Sequence, residues 1–241
     1  MVSWIGTQGP DKFRGTPNDD LLNGMGGDDK LWGEQGDDNV LGWSGDDELH
    51  GGFGADRLYG NEGKDELWGD AGDDRLVGGK GDDVLYGNDG TDDMLGEDGS
   101  DELLGSAGND LLKGGNGNDR LLGMRGQNDV NGNDGKDVLI VSEGRDVLNG
   151  GDGNDRFEFH VLAKEFKGTT IEDFNTRKGD FDVADVDGLF KNLDALLANA
   201  TVGKIDGETS TTIDVAGNDL VLLGYDITRD KDVGDHFLFF S

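Results

Sequence analysis

The 241 residues include no cysteine, two prolines, three histidines and only 21 lysines and arginines against 53 aspartates and glutamates. Without cysteine there is neither a disulfide framework nor a thiolate metal site. The shortage of basic residues leaves a formal net charge of −32, a field that repels nucleic acid and anionic lipid head groups and attracts cations. Apolar residues make up 33%, too few for an ordinary globular core that must offset the ordering entropy of the chain. No apolar run is long enough to span a bilayer. Residues Met1 to Pro10 lack a basic segment followed by an apolar one, so the expectation is export without a classical cleaved leader. No H-E-x-x-H or G-x-S-x-G motif occurs, and the only histidines are His50, His160 and His236, which excludes an ordinary protease or lipase centre. In excess is glycine, 45 residues.

These glycines recur with a period of nine that runs without insertion from Gly6 to Glu158, seventeen units in one register. Three consecutive units, from Gly69 to Leu95, read GDAGDDRLV, GGKGDDVLY and GNDGTDDML. Position one is Gly except at Val141, position four is Gly except at Asn18, and position six is Asp except at Asn128. Position eight is always apolar, from Phe13, Leu22 and Leu31 through Met94 and Val130 to Phe157. Glycine at positions one and four permits positive φ and close backbone approach, so the first six residues are expected to turn tightly with their carbonyls aimed at one spot. The last three form an extended triplet whose middle side chain faces inward. Two such half-turns make one coil.

The pattern G-G-x-G-x-D-x-U-x, met as GGKGDDVLY from Gly78 and GGNGNDRLL from Gly114, resembles the RTX repeat of proteins exported by type I secretion. The resemblance implies an all-β fold, a right-handed parallel β-roll with Ca²⁺ held between loops two repeats apart. It also implies the ligands: position-six carboxylates together with main-chain carbonyls, all hard oxygen donors. One column would then hold Asp11, Asp29, Asp47, Asp65, Asp83, Asp101, Asp119, Asp137 and Asp155. The other would hold Asp20, Asp38, Asp56, Asp74, Asp92, Asp110, Asn128 and Asp146, with the neutral Asn128 a weak rung. The gaps between neighbours set an upper limit of about fifteen ions. Carboxylates on rungs about 4.8 Å apart repel by roughly 0.8 kcal/mol per pair even in bulk water. Fifteen such pairs rival a domain's whole stability of about 5 to 15 kcal/mol. The cation-free chain is therefore expected to be open and largely disordered. The alternative is a metal-free solenoid in which the aspartates only cap turns.

From Phe159 to Ser241 the composition becomes mixed, which divides the chain into a β-roll over residues 1–158 and a C-terminal region, 159–241, that caps it. Thr170 to Phe174, Thr211 to Val215 and Asp219 to Tyr225 read as short strands, and Leu189, Leu193, Leu196, Leu197 and Ala200 as one helical stripe. The segment IEDFNTRKGDFDV, Ile171 to Val183, resembles the element that follows RTX repeats in secreted proteases and lipases. The ending HFLFF behind Asp235 resembles the acidic-then-apolar signal read by type I transporters, from which His236 and Ser241 depart. An edge strand of the cap over Phe237 to Phe240 is an equally good reading.

The sum of these features is a secreted, extracellular protein that is not an enzyme: its position-six carboxylates are committed to metal rather than to acid and base work. Its expected partners are the type I secretion machinery outward through the membrane and, once outside, an exopolysaccharide or surface glycan, with no nucleic acid. It would act as a structural or adhesive module at the cell surface or in the extracellular matrix. Accessory polysaccharide-acting modules and membrane-interacting nodulation-type or toxin-like proteins are the alternatives. A glycan or a second copy is expected at an outward stripe in position nine, Arg14, Trp32, His50, Trp68, Tyr86, Leu104, Leu122, Ile140 and Glu158, with Trp32, Trp68 and Tyr86 as anchors. An apolar stripe of that length calls for a cover, the chain's own C-terminal region or a partner.

Overall fold

A computed structural model describes residues 1–159, 169–172 and the strands Thr176–Arg177, Asp180–Phe181, Val183–Asp185, Ala200–Ile205, Glu208–Val215, Asn218–Leu223 and Phe237–Leu238. The repeats wind into a parallel β-solenoid. One face is formed by β1 (Ser3–Ile5), β3 (Leu21–Asn23), β5 (Asn39–Ser44), β7 (Arg57–Glu62), β9 (Arg75–Lys80), β11 (Asp93–Asp98), β13 (Leu111–Gly117), β15 (Asp129–Gly135) and β17 (Val147–Gly153). The opposite face is formed by β2 (Lys12–Arg14), β4 (Lys30–Gln35), β6 (Glu48–Phe53), β8 (Glu66–Ala71), β10 (Val84–Asp89), β12 (Glu102–Ala107), β14 (Arg120–Arg125), β16 (Val138–Glu143) and β18 (Arg156–Phe159). Neighbours pair in parallel at an offset of eighteen residues, as in Leu58↔Leu76 and Leu49↔Leu67.

The inward residue of each strand is position eight, and the side chains from Leu22 to Leu148 form one fully buried file between the sheets. Because each half-turn contributes a single apolar side chain, the core is one residue thick and its volume is set almost entirely by leucine. Aromatic rings enter it at the ends: Phe157 is buried at one, and Trp4 stacks on Phe13 at 4.7 Å at the other. Trp4 pairs with Leu22, so the solenoid begins one half-turn before Gly6.

Two expectations about the repeat are corrected. The first three strands keep the triplet, but from β4 to β17 the strands run over six or seven residues, from position seven into position three or four of the next unit. Positive φ falls at positions two and four, not one and four: Met25, Glu34, Trp43 and Asn61 at position two have φ of 80 to 86°. Position one needs glycine for a different reason. A Cβ on Gly33 or Gly96 would collide with the position-six carboxylate of its own unit, Asp38 or Asp101, and would lie 2.6 Å from a carbonyl oxygen of the next coil. Where Val141 replaces this glycine, its side chain is buried and the pairing of β14 with β16 slips between Leu122 and Arg125.

Both sheets continue beyond residue 159. Strand β19 (Thr170–Ile171) pairs with β17, placing Ile171 beside Leu148 in the core. A hairpin follows, β20 (Thr176–Arg177) with β21 (Asp180–Phe181), and β22 (Val183–Asp185) extends the second sheet from β18. Strands β23 (Ala200–Ile205), β24 (Glu208–Val215) and β25 (Asn218–Leu223) form an antiparallel meander joined to β19, while β26 (Phe237–Leu238) pairs with β22 as the last strand of its sheet. The expected strands near Thr170, Thr211 and Asp219 are therefore present, and Phe237–Leu238 is an edge strand. Of the expected helical stripe, Leu189 to Leu197 lie outside the described residues, and Ala200 opens a strand instead.

Candidate metal centre

Each position-six aspartate sits where the chain leaves the loop and enters β structure. From Asp20 to Asp155 these side chains are almost completely buried. The two carboxylate oxygens have different fates. Oδ1 accepts the backbone N–H of the aspartate one coil earlier: Asp38 from Asp20 at 2.7 Å, Asp74 from Asp56 at 2.8 Å, Asp119 from Asp101 at 2.9 Å. Oδ2 lies beside the bare Cα of the position-one glycine and has no hydrogen-bond partner in twelve aspartates: Asp29, Asp38, Asp47, Asp56, Asp65, Asp74, Asp83, Asp92, Asp101, Asp110, Asp119 and Asp137. A buried carboxylate oxygen without a donor costs far more than its partnered neighbour gains.

The surroundings match a hard cation. Oδ2 of Asp137 and the carbonyl oxygen of Gly150 both crowd the space that a Cβ on Gly132 would fill, and Asp101 with Gly114 does the same at Gly96. At both glycines the nearest polar atoms of this cradle are carboxylate and carbonyl oxygens, the donor type that Ca²⁺ takes. Among the described residues no three acidic or imidazole side chains converge on one point, so such a cradle depends on main-chain carbonyls for much of its coordination.

Electrostatics agree with the geometry. Burial pushes the carboxyls of Asp74 and Asp83 up to about 8, against the lowering effect of the accepted N–H and with further upward pressure from neighbouring aspartates. Asp38, Asp47, Asp101 and Asp137 rise to about 7 for the same reasons. Asp56, Asp65, Asp92, Asp110, Asp119 and Asp146 rise to about 6, again chiefly through burial.

The ends of the columns differ. Oδ2 of Asp11 accepts the N–H and the hydroxyl of Thr7 at 2.6 and 3.0 Å, and Oδ2 of Asp20 accepts those of Thr16 at 2.6 and 2.9 Å. These two carboxylates cap their own loops. Beyond Asp146 the next rung is Thr169, whose hydroxyl accepts the Asp146 N–H at 3.4 Å. Asn128 keeps the ladder, accepting from Asp110 at 3.0 Å, but turns its orphaned Nδ2 to the side where other rungs present oxygen. The repeat reading missed a second ladder at position five, where Asp28, Asp37, Asp46 and Asp73 each accept the N–H of the residue one coil later at 2.8 to 3.0 Å. The abundance of Asp and Asn at that position was the signal for it.

The position-nine stripe is a stack rather than an open patch. Trp32, His50, Trp68 and Tyr86 lie face to face with centroids 5.5, 4.4 and 5.4 Å apart and planes within 12° of parallel. Arg14 and Lys12 cover the outer face of Trp32. Ile140, at the far end of the stripe, is buried. Trp32, His50 and Trp68 thus have both ring faces covered, and Tyr86 has one.

A solenoid with carboxylate and carbonyl oxygens lined up inside its turns is a calcium-binding β-roll. The RTX calcium-binding nonapeptide repeat family matches residues 5–40, 41–76, 68–103, 95–130 and 131–159, and the chain belongs to it. Comparison with curated proteins finds no match.

Proposed function

We propose that this protein is a secreted rod that folds on calcium outside the cell and serves as a structural or adhesive module at the cell surface or in the extracellular matrix. The observation behind this reading is the file of twelve orphaned Oδ2 atoms in glycine cradles. Those twelve aspartates, with Asp155 beside Gly150 and with position-one carbonyls, are the proposed ligands. Bound calcium supplies positive charge between coils whose carboxylates otherwise repel. Extracellular modules bind calcium at about 10⁻⁴ to 10⁻³ M, so the chain stays open in a calcium-poor cytoplasm and can be exported as a thread. A type I exporter reading the last residues, 226–241, fits that route, with the strands after residue 159 closing the end of the roll. The position-six carboxylates are held by backbone donors and glycine cradles, an arrangement suited to holding an ion rather than to turning over a substrate.

The test is expression with a type I exporter and fractionation of cells and medium. The intact chain should reach the medium, and a chain whose residues 226–241 are replaced by a neutral linker should stay inside. The exported protein should bind to surface material in millimolar calcium and leave it on chelation. Undiminished export of the replaced chain, or retention on surfaces in chelator, would overturn the corresponding half of the proposal.

A further inference from the structure

Of the four tryptophans, Trp4, Trp32 and Trp68 have a ring stacked against them, and Trp43 has none among the described residues. Trp43 is 48% exposed and sits at position two with φ of 80°, a left-handed backbone that is costly for a bulky side chain. It opens onto a groove of about 510 Å³ on the face opposite the aromatic stack, within the size range of small-ligand sites.

The register explains the groove. Trp43, Asn61, Gly79 and Glu97 occupy position two on successive rungs, and Gly79 leaves a gap in that column. Tyr59 and Val77, at position nine, give the groove an apolar side. Glu62 and Lys80, at position three and ion-paired at 3.0 Å, give it a side with both donors and acceptors. Trp43 and Glu97 lie three rungs apart in it, about 14 Å at the usual strand spacing, and Met25, one rung before Trp43, lines the end beyond the indole.

We propose that this groove binds a neutral glycan, with Trp43 as the platform for a pyranose ring. A sugar has an apolar face and a rim of hydroxyls, which matches an indole face and an apolar side facing a charged pair. Glu97 has no ion-pair partner among the described residues and can accept hydroxyl donors. Anionic polymers are disfavoured by Glu62, Glu97 and a net charge of −32. This inference rests on the adhesive reading above and moves its contact surface from the Trp32, Trp68 and Tyr86 stack, where both faces of each indole are occupied, to Trp43.

The experiment is calorimetry and tryptophan fluorescence on the calcium-loaded full chain with cellohexaose, maltohexaose, a galacturonate hexamer and a glucosamine hexamer. At least one neutral hexamer should bind and shift tryptophan emission. Trp43→Gly suits the left-handed backbone, as Gly52 and Gly79 show at the same position, and should weaken binding at least tenfold while calcium-dependent circular dichroism stays unchanged. Glu97→Gln should weaken it less. Binding of only the charged hexamers, or of none, would overturn the proposal, as would neutral binding that survives Trp43→Gly. If that surviving binding is lost in Trp68→Ser, the adhesive reading stands and only the placement fails; absence of any surface or glycan binding removes both.

Discussion

Gly96 gives Asp101 its room: a Cβ on Gly96 would collide with Oδ2 of Asp101 and stand 2.6 Å from the carbonyl oxygen of Gly114. Gly96 has no positive φ, so the requirement is for space at the cradle and not for backbone freedom. Gly96→Ala should therefore displace one carboxylate without straining the turn. The expected result is a destabilisation of the calcium-loaded roll by about 1 to 3 kcal/mol, typical of overpacking, together with loss of about one bound ion in equilibrium dialysis. Unchanged stability and ion count would show that the proposed cradle is not a ligand site.

Asn128 places an amide Nδ2 where other rungs place an orphaned oxygen. An N–H pointed toward a cation opposes binding, and the missing unit of charge weakens the site further. Asn128→Asp should lower the calcium midpoint for folding and raise the melting temperature in calcium. With calcium chelated, the same change should destabilise the roll, because it adds one more uncompensated buried carboxylate. A variant that behaves like the parent in both conditions would mean that carbonyls alone define this rung.

Positions six and eight were legible in the sequence because each carries one residue class in unbroken phase, and phase alone assigns them to the cradle and the core. Position two was not. Met25, Trp43 and Asn61 take left-handed φ despite having side chains, so backbone sign could not be read from glycine content. The half-turn at Trp4 and the rung at Thr169 escaped because the period breaks there: Thr169 follows Asp146 by 23 residues, not eighteen. The aromatic stripe was found, but its need for a cover was overestimated. Rungs one strand spacing apart let rings lie on each other, which a count of apolar residues does not register.

That stacking yields a stability prediction. Trp68 contacts His50 at 4.4 Å and Tyr86 at 5.4 Å, and each aromatic pair contributes about 0.5 to 1.5 kcal/mol beyond its buried area. Trp68→Ser should destabilise the calcium-loaded roll by about 1 to 3 kcal/mol in denaturant titrations, with no change in sedimentation. Self-association of the parent that disappears in Trp68→Ser would instead make the stripe a contact between copies.

Acid and calcium should act on the same carboxylates. Burial raises Asp74 and Asp83 to about 8 and Asp38, Asp47, Asp101 and Asp137 to about 7 in the folded chain, whereas an unfolded aspartate titrates near 3.9. With the folded value raised, the folded state holds more protons than the unfolded state between about pH 4 and 8, so stability falls as pH rises through that window. The metal-free chain should accordingly be least structured at pH 8 and gain β signal in circular dichroism toward pH 5. Salt at 0.5 M screens exposed charges much more than buried ones, so it should reproduce only part of that gain. At pH 5, where the metal-free roll is structured and these carboxyls are protonated, calcium binding should release protons, visible as a dependence of the calorimetric heat on the ionisation enthalpy of the buffer; at pH 8 the open chain is already ionised and should release almost none, and the affinity should fall on acidification. A metal-free chain that gains β signal at pH 5 yet binds calcium there with undiminished affinity and without proton release would show that these aspartates do not hold the ion.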